Sequence, residues 1–137
     1  MKMDEEVERL KKERIKKLME KVKEVQTEIE VNDSNFEEEV IEKSKEIPVV
    51  VDFWAQWCRP CLMLGPTLEK LAKENKGKFI LAKVNVDEAP LASQKYGIMS
   101  IPNVKLFKDG KIVDEFIGAY PEDFVRKWLE RNLSNNQ

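Results

Sequence analysis

The first 26 residues carry the apolar and polar pattern of one amphipathic helix. The segment 1–26 has no glycine or proline, and its apolar positions recur at helical spacing: Val7, Leu10, Ile15, Leu18, Val22 and Val25. Two interpretations stay open. The helix packs on its own domain or frays as an extension of a monomer. Alternatively it pairs with a helix of another chain, in a dimer or with a partner protein, because Ile15, Leu18, Val22, Val25 and Ile29 fit two heptads.

From Thr27 onward, short strand patterns alternate with helix patterns. The segment TEIEV alternates like a half-buried strand, whereas IPVVVDFWA and KFILAKVNVD are nearly continuous apolar runs. Such runs are typical of strands that are covered on both faces of a sheet. Asp109-Gly110 separates two alternating runs in NVKLFKDGKIVDEFIG, which predicts a β-hairpin.

Helix patterns lie between and after these strands. One is predicted through FEEEVIEKSKE, with three candidate capping residues: Asp33, Ser34 or Asn35. A longer helix is predicted over about 58–75, with a kink at Pro66. APLASQKY predicts a short helix, and PEDFVRKWLERNL predicts a final helix with Pro121 in its first turn.

The order of these elements predicts the fold class. Strands joined through helices should be parallel, and the strands of the hairpin antiparallel. We therefore expect an α/β domain over residues 27–137, with a mixed central β-sheet flanked by helices on both faces. Residues 1–26 are expected to be a separate, charged helical extension.

Composition excludes several classes of function. The chain has 137 residues with 24 Lys+Arg and 26 Asp+Glu, so it lacks the basic excess of a nucleic-acid-binding domain. No apolar run reaches the roughly 18 residues of a membrane span. The absence of histidine excludes Ser-His and Cys-His nucleophile pairs and, with two cysteines, disfavours zinc. The 36% of charged residues favours a thermostable protein.

The only two cysteines, Cys58 and Cys61, stand three positions apart at the predicted start of a helix. They share one face of its first turn, and Pro60 fits there because first-turn amides have no intrahelical acceptor. The free amides and the helix dipole favour a thiolate at Cys58. We expect Cys58 to be the exposed nucleophile and Cys61, one turn deeper, the resolving thiol.

Two structural interpretations compete with redox chemistry at this pair. A static disulfide is one, but a four-residue loop removes only about 2 kcal/mol of unfolded-state entropy, against about 3 for fifteen residues. A pair of ordinary buried thiols is the other. The spacing and the position at a helix start favour redox chemistry over both.

The segment VVVDFWAQWCRPC closely resembles the active-site segment of the thioredoxin family, whose usual form is V-D-F-W-A-x-W-C-G-P-C. LAKVNVDEAPLASQKYGIMSIPNVKLFKDGK and FIGAYPED, which also resemble the family, follow in the family's order. The resemblance covers about residues 27–133. It implies a thioredoxin fold and dithiol–disulfide exchange with protein substrates, in which Cys58 attacks and Cys61 resolves the mixed disulfide.

The resemblance also implies roles for two charged residues. Asp52 matches an aspartate that lies behind the second cysteine and assists its proton transfer, and desolvation should raise its pKa. Lys83 matches a lysine that tunes this aspartate electrostatically. Without the resemblance, Asp52 could equally be a strand-end residue that reaches solvent, and Lys83 a solvated surface residue.

A docking face around Cys58 is a further implication. Pro102 matches the family's cis-proline, and the backbone of Ile101 beside it would pair with the substrate chain. Trp57, Gly118 and Ala119 are expected to complete an apolar docking face with Ile101, and Arg59 and Pro60 are also expected to bind the substrate. An ordinary core position is the alternative for Trp57.

Three positions depart from the family's pattern. Arg59 replaces the usual glycine between the cysteines, and its charge should stabilise the Cys58 thiolate and make the pair more oxidising. Leu62 stands where many members have lysine, which partly offsets that charge. Asn103 follows the cis-proline where threonine is usual. These changes affect the expected potential and substrate preference, while the expected reaction class stays the same.

The sequence therefore predicts a cytoplasmic protein-disulfide reductase of the thioredoxin family. Its redox group is the Cys58–Cys61 pair itself, with no other cofactor and no metal. No G-x-G-x-x-G dinucleotide fingerprint is present, so a thioredoxin reductase would supply electrons and disulfide-containing proteins would receive them. The alternatives are a more oxidising disulfide oxidase or isomerase, and a binding or chaperone module that docks through the N-terminal helix.

Overall fold

The computed structural model describes residues 2–23 and 26–134 of the chain. Its helices are α1 (Lys2–Lys23), α2 (Arg59–Glu74), α3 (Pro90–Lys95) and α4 (Glu122–Leu133). Its strands are β1 (Glu28–Val31), β2 (Val49–Trp54), β3 (Ile80–Asn85), β4 (Asn103–Lys108) and β5 (Lys111–Ile117). A π-helical turn at Glu37–Glu42 and a 3-10 turn at Lys43–Lys45 connect β1 to β2.

The five strands form one mixed sheet in the order β1-β3-β2-β4-β5. β3 pairs in parallel with β1 and β2, whereas β4 pairs antiparallel with β2 and β5. This confirms the predicted mixed sheet. β2 lies at its centre, between β3 and β4, which is why its sequence VVVDFW is apolar at nearly every position.

Two apolar cores cover the two faces of the sheet, as predicted. Val50 points toward the core formed with α2 and α4, which includes Leu64, Leu68 and Trp128. Val49 and Val51 point toward the opposite core, which contains Phe36, Val40 and Ala92 of the β1–β2 connection and α3. Because successive strand residues point to opposite faces, Asp52 lies on the same face as Val50, beneath α2.

The prediction of a helix after β1 is wrong in the type of helix and in the capping residue. The segment forms a π-helical and a 3-10 turn, and Phe36 stands at the N-cap position without a capping hydrogen bond from its side chain. Asp33 instead accepts hydrogen bonds from the amides of Leu91 and Ala92, at 3.0 and 2.9 Å. Its carboxylate therefore caps α3, and this contact joins segments that are 58 and 59 residues apart in the chain.

The β4–β5 hairpin confirms the prediction made from Asp109-Gly110. Both residues have positive φ, 55° and 78°, as a two-residue hairpin turn requires. At the end of the sheet domain, Pro121 occupies the N-cap of α4 and so precedes the first turn in which it was predicted.

The predicted N-terminal helix is observed as α1, and residues 1, 24 and 25 lie outside the described residues. Every described side chain of α1, over residues 3–17, is exposed, including Val7, Leu10 and Ile15. This part of the helix does not pack on the sheet domain. Within the described residues, no helix is long and apolar enough to cross a membrane.

Candidate active site

The two cysteines form a disulfide at the N-terminus of α2, with their Cα atoms 5.3 Å apart. Cys58 is the N-cap, in an extended conformation, and its carbonyl accepts a hydrogen bond from the Leu62 amide at 3.2 Å. Arg59 and Pro60 fill the first two helical positions, where proline loses no helical hydrogen bond. The Cys58 amide donates to the Ala55 carbonyl at 3.1 Å and so closes the turn from β2.

The sulfur of Cys58 lies at the positive end of α2. The Cys61 amide donates a hydrogen bond to it at 3.3 Å, and the Ile101 carbonyl oxygen is 3.8 Å away. First-turn amides and the helix dipole stabilise negative charge at such a position, which favours the Cys58 thiolate once the disulfide is reduced.

The expectation of an exposed Cys58 is wrong in degree. Cys58 is 6% exposed and Cys61 is 2% exposed, so both are buried and Cys58 is the more accessible of the two. The reason is local packing, because the pair forms an apolar cluster with Ala55 that Trp54, Val86 and Ile101 partly cover.

The loop before β4 faces the disulfide. The Ile101–Pro102 bond is cis, as the resemblance implied. The Gly118 amide donates to the Pro102 carbonyl at 2.9 Å, which places Gly118 and the exposed Ala119 beside this loop. Within the described chain the Ile101 amide donates no backbone hydrogen bond, so it can donate one to an extended segment that lies beside it.

Trp57 lies on the surface next to Cys58 and is not a core aromatic. It is 69% exposed, and its indole N–H donates to Asp87 Oδ2 at 2.9 Å. The Asp87 amide in turn donates to Asn85 Oδ1 at 2.9 Å, which fixes the acceptor at the end of β3. Sequence analysis missed Asp87, because its partner lies 30 residues earlier in the chain.

Asp52 is a buried carboxylate, so the alternative in which it reaches solvent is wrong. It is 1% exposed, and neither oxygen has a hydrogen-bond partner among the described residues. Burial raises its pKa to about 7; the Lys83 ammonium lowers it and the Glu69 carboxylate raises it. A carboxyl group with such a pKa can change protonation state near neutral pH.

Lys83 is the cross-strand neighbour of Asp52 in the β2–β3 register. Its ammonium forms an ion pair with Glu69 Oε2 on α2 at 2.8 Å and lies 5.1 Å from the centre of the Trp54 ring. Burial lowers the Lys83 pKa, but the hydrogen bond to Glu69 and nearby carboxylates outweigh burial, and the pKa is raised. Sequence analysis missed Glu69, because no local pattern connects it to β3.

The three departures from the family's pattern occupy different environments. Arg59 is exposed and has no acidic partner among the described residues. Leu62 is exposed on the next turn of α2. Asn103 is buried after Pro102, with an Oδ1 atom that has no hydrogen-bond partner in the described part of the chain. The described residues contain no group of three or more His, Cys, Asp or Glu side chains arranged for a metal.

A cysteine pair at a helix N-terminus whose disulfide is reversibly reduced is the active site of a thiol–disulfide oxidoreductase. The fold and the site therefore place the protein in the class of thiol–disulfide oxidoreductases. The thioredoxin family model matches residues 27–131. Thioredoxin from Chlorobaculum thiosulfatiphilum is 46% identical over 104 residues, covering 76% of this chain and 94% of that protein. Thioredoxin 1 from Nostoc sp. is 43% identical, covering 76% and 95%. A chloroplastic M-type thioredoxin from Spinacia oleracea is 47% identical, covering 86% and 62%.

The chain belongs to the thioredoxin family. It is a protein-disulfide reductase that works through a reversible Cys58–Cys61 dithiol and disulfide, and as in the family the redox group is this pair itself. The family implies disulfide-containing client proteins and a thioredoxin reductase as partners. The relatives favour none of the alternatives: a disulfide oxidase, an isomerase or a binding module.

Replacing Asp52 with asparagine should change how stability depends on pH. The native pKa of about 7 lies above the ordinary aspartate pKa of 3.8, so between these two pH values the native state holds a proton that the unfolded state has lost. The contribution of protonated Asp52 to the free energy of unfolding is therefore complete below about pH 4 and is lost as pH rises through about 7. The contribution is roughly 4 kcal/mol, since each pKa unit corresponds to ~1.4 kcal/mol.

Asp52→Asn keeps a neutral polar group there, so the variant should match the wild type in acid and exceed its stability above about pH 7. Urea unfolding of both oxidised proteins across this range measures the difference. A constant difference in the free energy of unfolding at every pH would contradict the burial of a titrating Asp52.

Proposed function

We propose that each cysteine has a separate task in the reduction of a client disulfide. The Cys58 thiolate attacks one client sulfur, so that a mixed disulfide forms and the other client sulfur leaves as a thiolate. The Cys61 thiolate then attacks Cys58 Sγ, which releases the second client thiol and closes the Cys58–Cys61 disulfide. Two electrons pass to the client. The single observation that carries this assignment is the greater accessibility of Cys58, at the positive end of α2.

Asp52 is the group we propose to take the Cys61 proton, through water, in the resolving step. Its burial beneath α2 and its pKa of about 7 support this role, because a general base works best when its pKa lies near the working pH. Lys83 adjusts this pKa from the neighbouring strand.

The client chain docks, in this proposal, along the Ile101–Pro102 loop. The Ile101 amide has no backbone acceptor within the described residues, and its carbonyl faces the Cys58 sulfur. An extended client segment would add main-chain hydrogen bonds there. Around it lie the other residues we assign to docking: Trp57, Arg59, Pro60, Gly118 and Ala119.

The compartment, the electron donor and the stability at high temperature are also proposals. A thioredoxin reductase returns the disulfide to the dithiol, and the protein works in a reducing compartment such as the cytoplasm, where thiols are kept reduced. Fractionation of the native cells tests the location, and recovery in an organelle would contradict it. The high proportion of charged residues supports thermostability, which an ordinary mesophilic melting temperature would contradict.

Single cysteine variants test the two tasks. With Cys61→Ser, attack by Cys58 should proceed but resolution should stop, so a covalent adduct with a disulfide-bonded model peptide should accumulate. With Cys58→Ser, turnover and adduct should both be lost. Mass spectrometry of the non-reduced reaction measures the adduct. Turnover by Cys58→Ser, or an adduct that forms only through Cys61, would contradict the assignment.

Arg59 should make the pair more oxidising. It is an exposed cation without an acidic partner among the described residues, one position after Cys58. Arg59→Gly should lower the midpoint potential by about 10–20 mV, the equivalent of a surface charge interaction of ~0.5–1 kcal/mol. Leu62→Lys adds a second cation to the first turns of α2 and should raise the midpoint potential above that of the wild type. Equilibration against a defined dithiol buffer measures both, and equal potentials in all three proteins would refute the effect.

We propose that residues 1–26 are an appended helix and that residues 27–137 form the catalytic domain. The exposed α1 side chains over residues 3–17 and the family match to residues 27–131 support this division. A chain that starts at Gln26 should keep the thermal midpoint and the reductase activity, and both chains should sediment as monomers. A dimer formed by the full chain alone would instead assign α1 to self-association.

A further inference from the structure

Lys83 stands between two carboxylates, Asp52 and Glu69, and pairs with only one of them. The β2–β3 register places Asp52 directly opposite Lys83, yet the ammonium forms its ion pair with Glu69 at 2.8 Å. Both Asp52 oxygens are left without a hydrogen-bond partner among the described residues. The Glu69 side chain is 32% exposed and Asp52 is 1% exposed, so pairing with Glu69 spares the ammonium a deeper desolvation.

Gly65 on α2 lies directly beside the Glu69–Lys83 ion pair. It lies one helical turn before Glu69, and a Cβ at this position would be 3.6 Å from Glu69 Oε2 and 4.0 Å from Lys83 Nζ. The Trp54 ring bounds the same ammonium, with its centre 5.1 Å away. The ion pair is therefore fitted between the backbone of α2 and the end of β2.

The charged groups that act on Asp52 come from two elements packed against it. Lys83 on β3 lowers its pKa, and Glu69 on α2 raises it. Glu30 on β1 is the cross-strand neighbour of Lys83, and Glu28 on the same strand raises the pKa of Lys83. The cysteine pair at the start of α2 titrates only when its disulfide is reduced. Removing the Glu69 charge would remove the charge that opposes ionisation of Asp52 and leave Lys83, which favours it.

We propose that Glu69 is a positioning residue that binds Lys83 and keeps its ammonium from pairing with Asp52, so that Asp52 stays able to accept a proton. The inference rests on the proposed role of Asp52 in the resolving step. Glu69 acts through Lys83 and touches neither cysteine. If Glu69 loses its charge, Lys83 is free to pair with Asp52, its cross-strand neighbour on β2, and Asp52 then stays ionised at neutral pH.

Glu69→Gln in the full chain tests this directly, because the substitution keeps the size of the side chain and removes its charge. The carboxyl of Asp52, observed by carbon NMR in the reduced protein, should titrate with a pKa lower by about 1–3, as for a carboxylate that gains a cationic neighbour. The pH midpoint of the rate at which Cys61 resolves the mixed disulfide should decrease together with the Asp52 pKa.

Glu74→Gln is the matched control. Glu74 lies on the same helix, forms an ion pair with Arg126 at 2.9 Å and has a side chain 41% exposed, close to that of Glu69. The Asp52 titration should not move in this variant. A second control is Glu69→Gln in a Lys83→Gln background, where most of the effect of Glu69→Gln should vanish because the cation is gone.

An unchanged Asp52 titration in Glu69→Gln, in a variant with the wild-type unfolding midpoint, would overturn the inference. So would an equal decrease with and without Lys83, since Glu69 would then act by its own charge alone. A lower Asp52 pKa without any change in the pH midpoint of resolution would confirm that Glu69 holds Lys83. The same result would contradict the proposed role of Asp52, so the two failures are distinguishable.

Discussion

The burial of one carboxylate in the central strand is the constraint on which the rest of the structure depends. Asp52 interrupts an otherwise apolar strand and lies in the core beneath α2 without a hydrogen bond from the described residues. Such a group destabilises the folded chain when it is charged. The apolar core on this face of the sheet, which includes Val50, Leu64, Leu68 and Val104, shifts the pKa of this carboxylate because it separates the group from bulk solvent. At this position the ionised carboxylate, which is the form able to accept a proton, is also the form that destabilises the fold. The native protein therefore favours the protonated form up to neutral pH.

The scaffold places three kinds of group around the disulfide from separate parts of the chain. The N-terminus of α2 provides amides that stabilise a thiolate on Cys58. The Ile101–Pro102 loop before β4 provides an open backbone edge 3.8 Å from the same sulfur. β2 and β3 provide the titrating carboxylate and the lysine that modifies it. Because all three are attached to one sheet, it sets the relative positions of the accessible thiol, the open backbone edge and the buried carboxylate.

Much of the fold follows from local patterns, and most of the site does not. The apolar runs around Val50 and Leu81 and the Asp109-Gly110 turn each predict their element, because strand burial and positive φ leave a direct mark on sequence. The cis bond before Pro102 and the burial of Asp52 were expected only through the family resemblance. Contacts between distant segments left no local mark. Asp33 was a candidate cap for the helix that follows it, but its carboxylate caps α3. The pairs Glu69–Lys83 and Trp57–Asp87 join residues that no local sequence pattern connects.

The most direct measurement is the rate at which Cys61 resolves a preformed mixed disulfide between Cys58 and a chromophoric thiol, followed across pH by stopped-flow absorbance. If Asp52 takes the Cys61 proton, the wild-type rate should rise with a midpoint near its pKa of about 7. Asp52→Asn should then resolve more slowly at neutral pH and lose that step in the profile, while the first attack by Cys58 keeps its rate. Identical profiles for the two proteins would show that the buried carboxylate takes no part in the exchange.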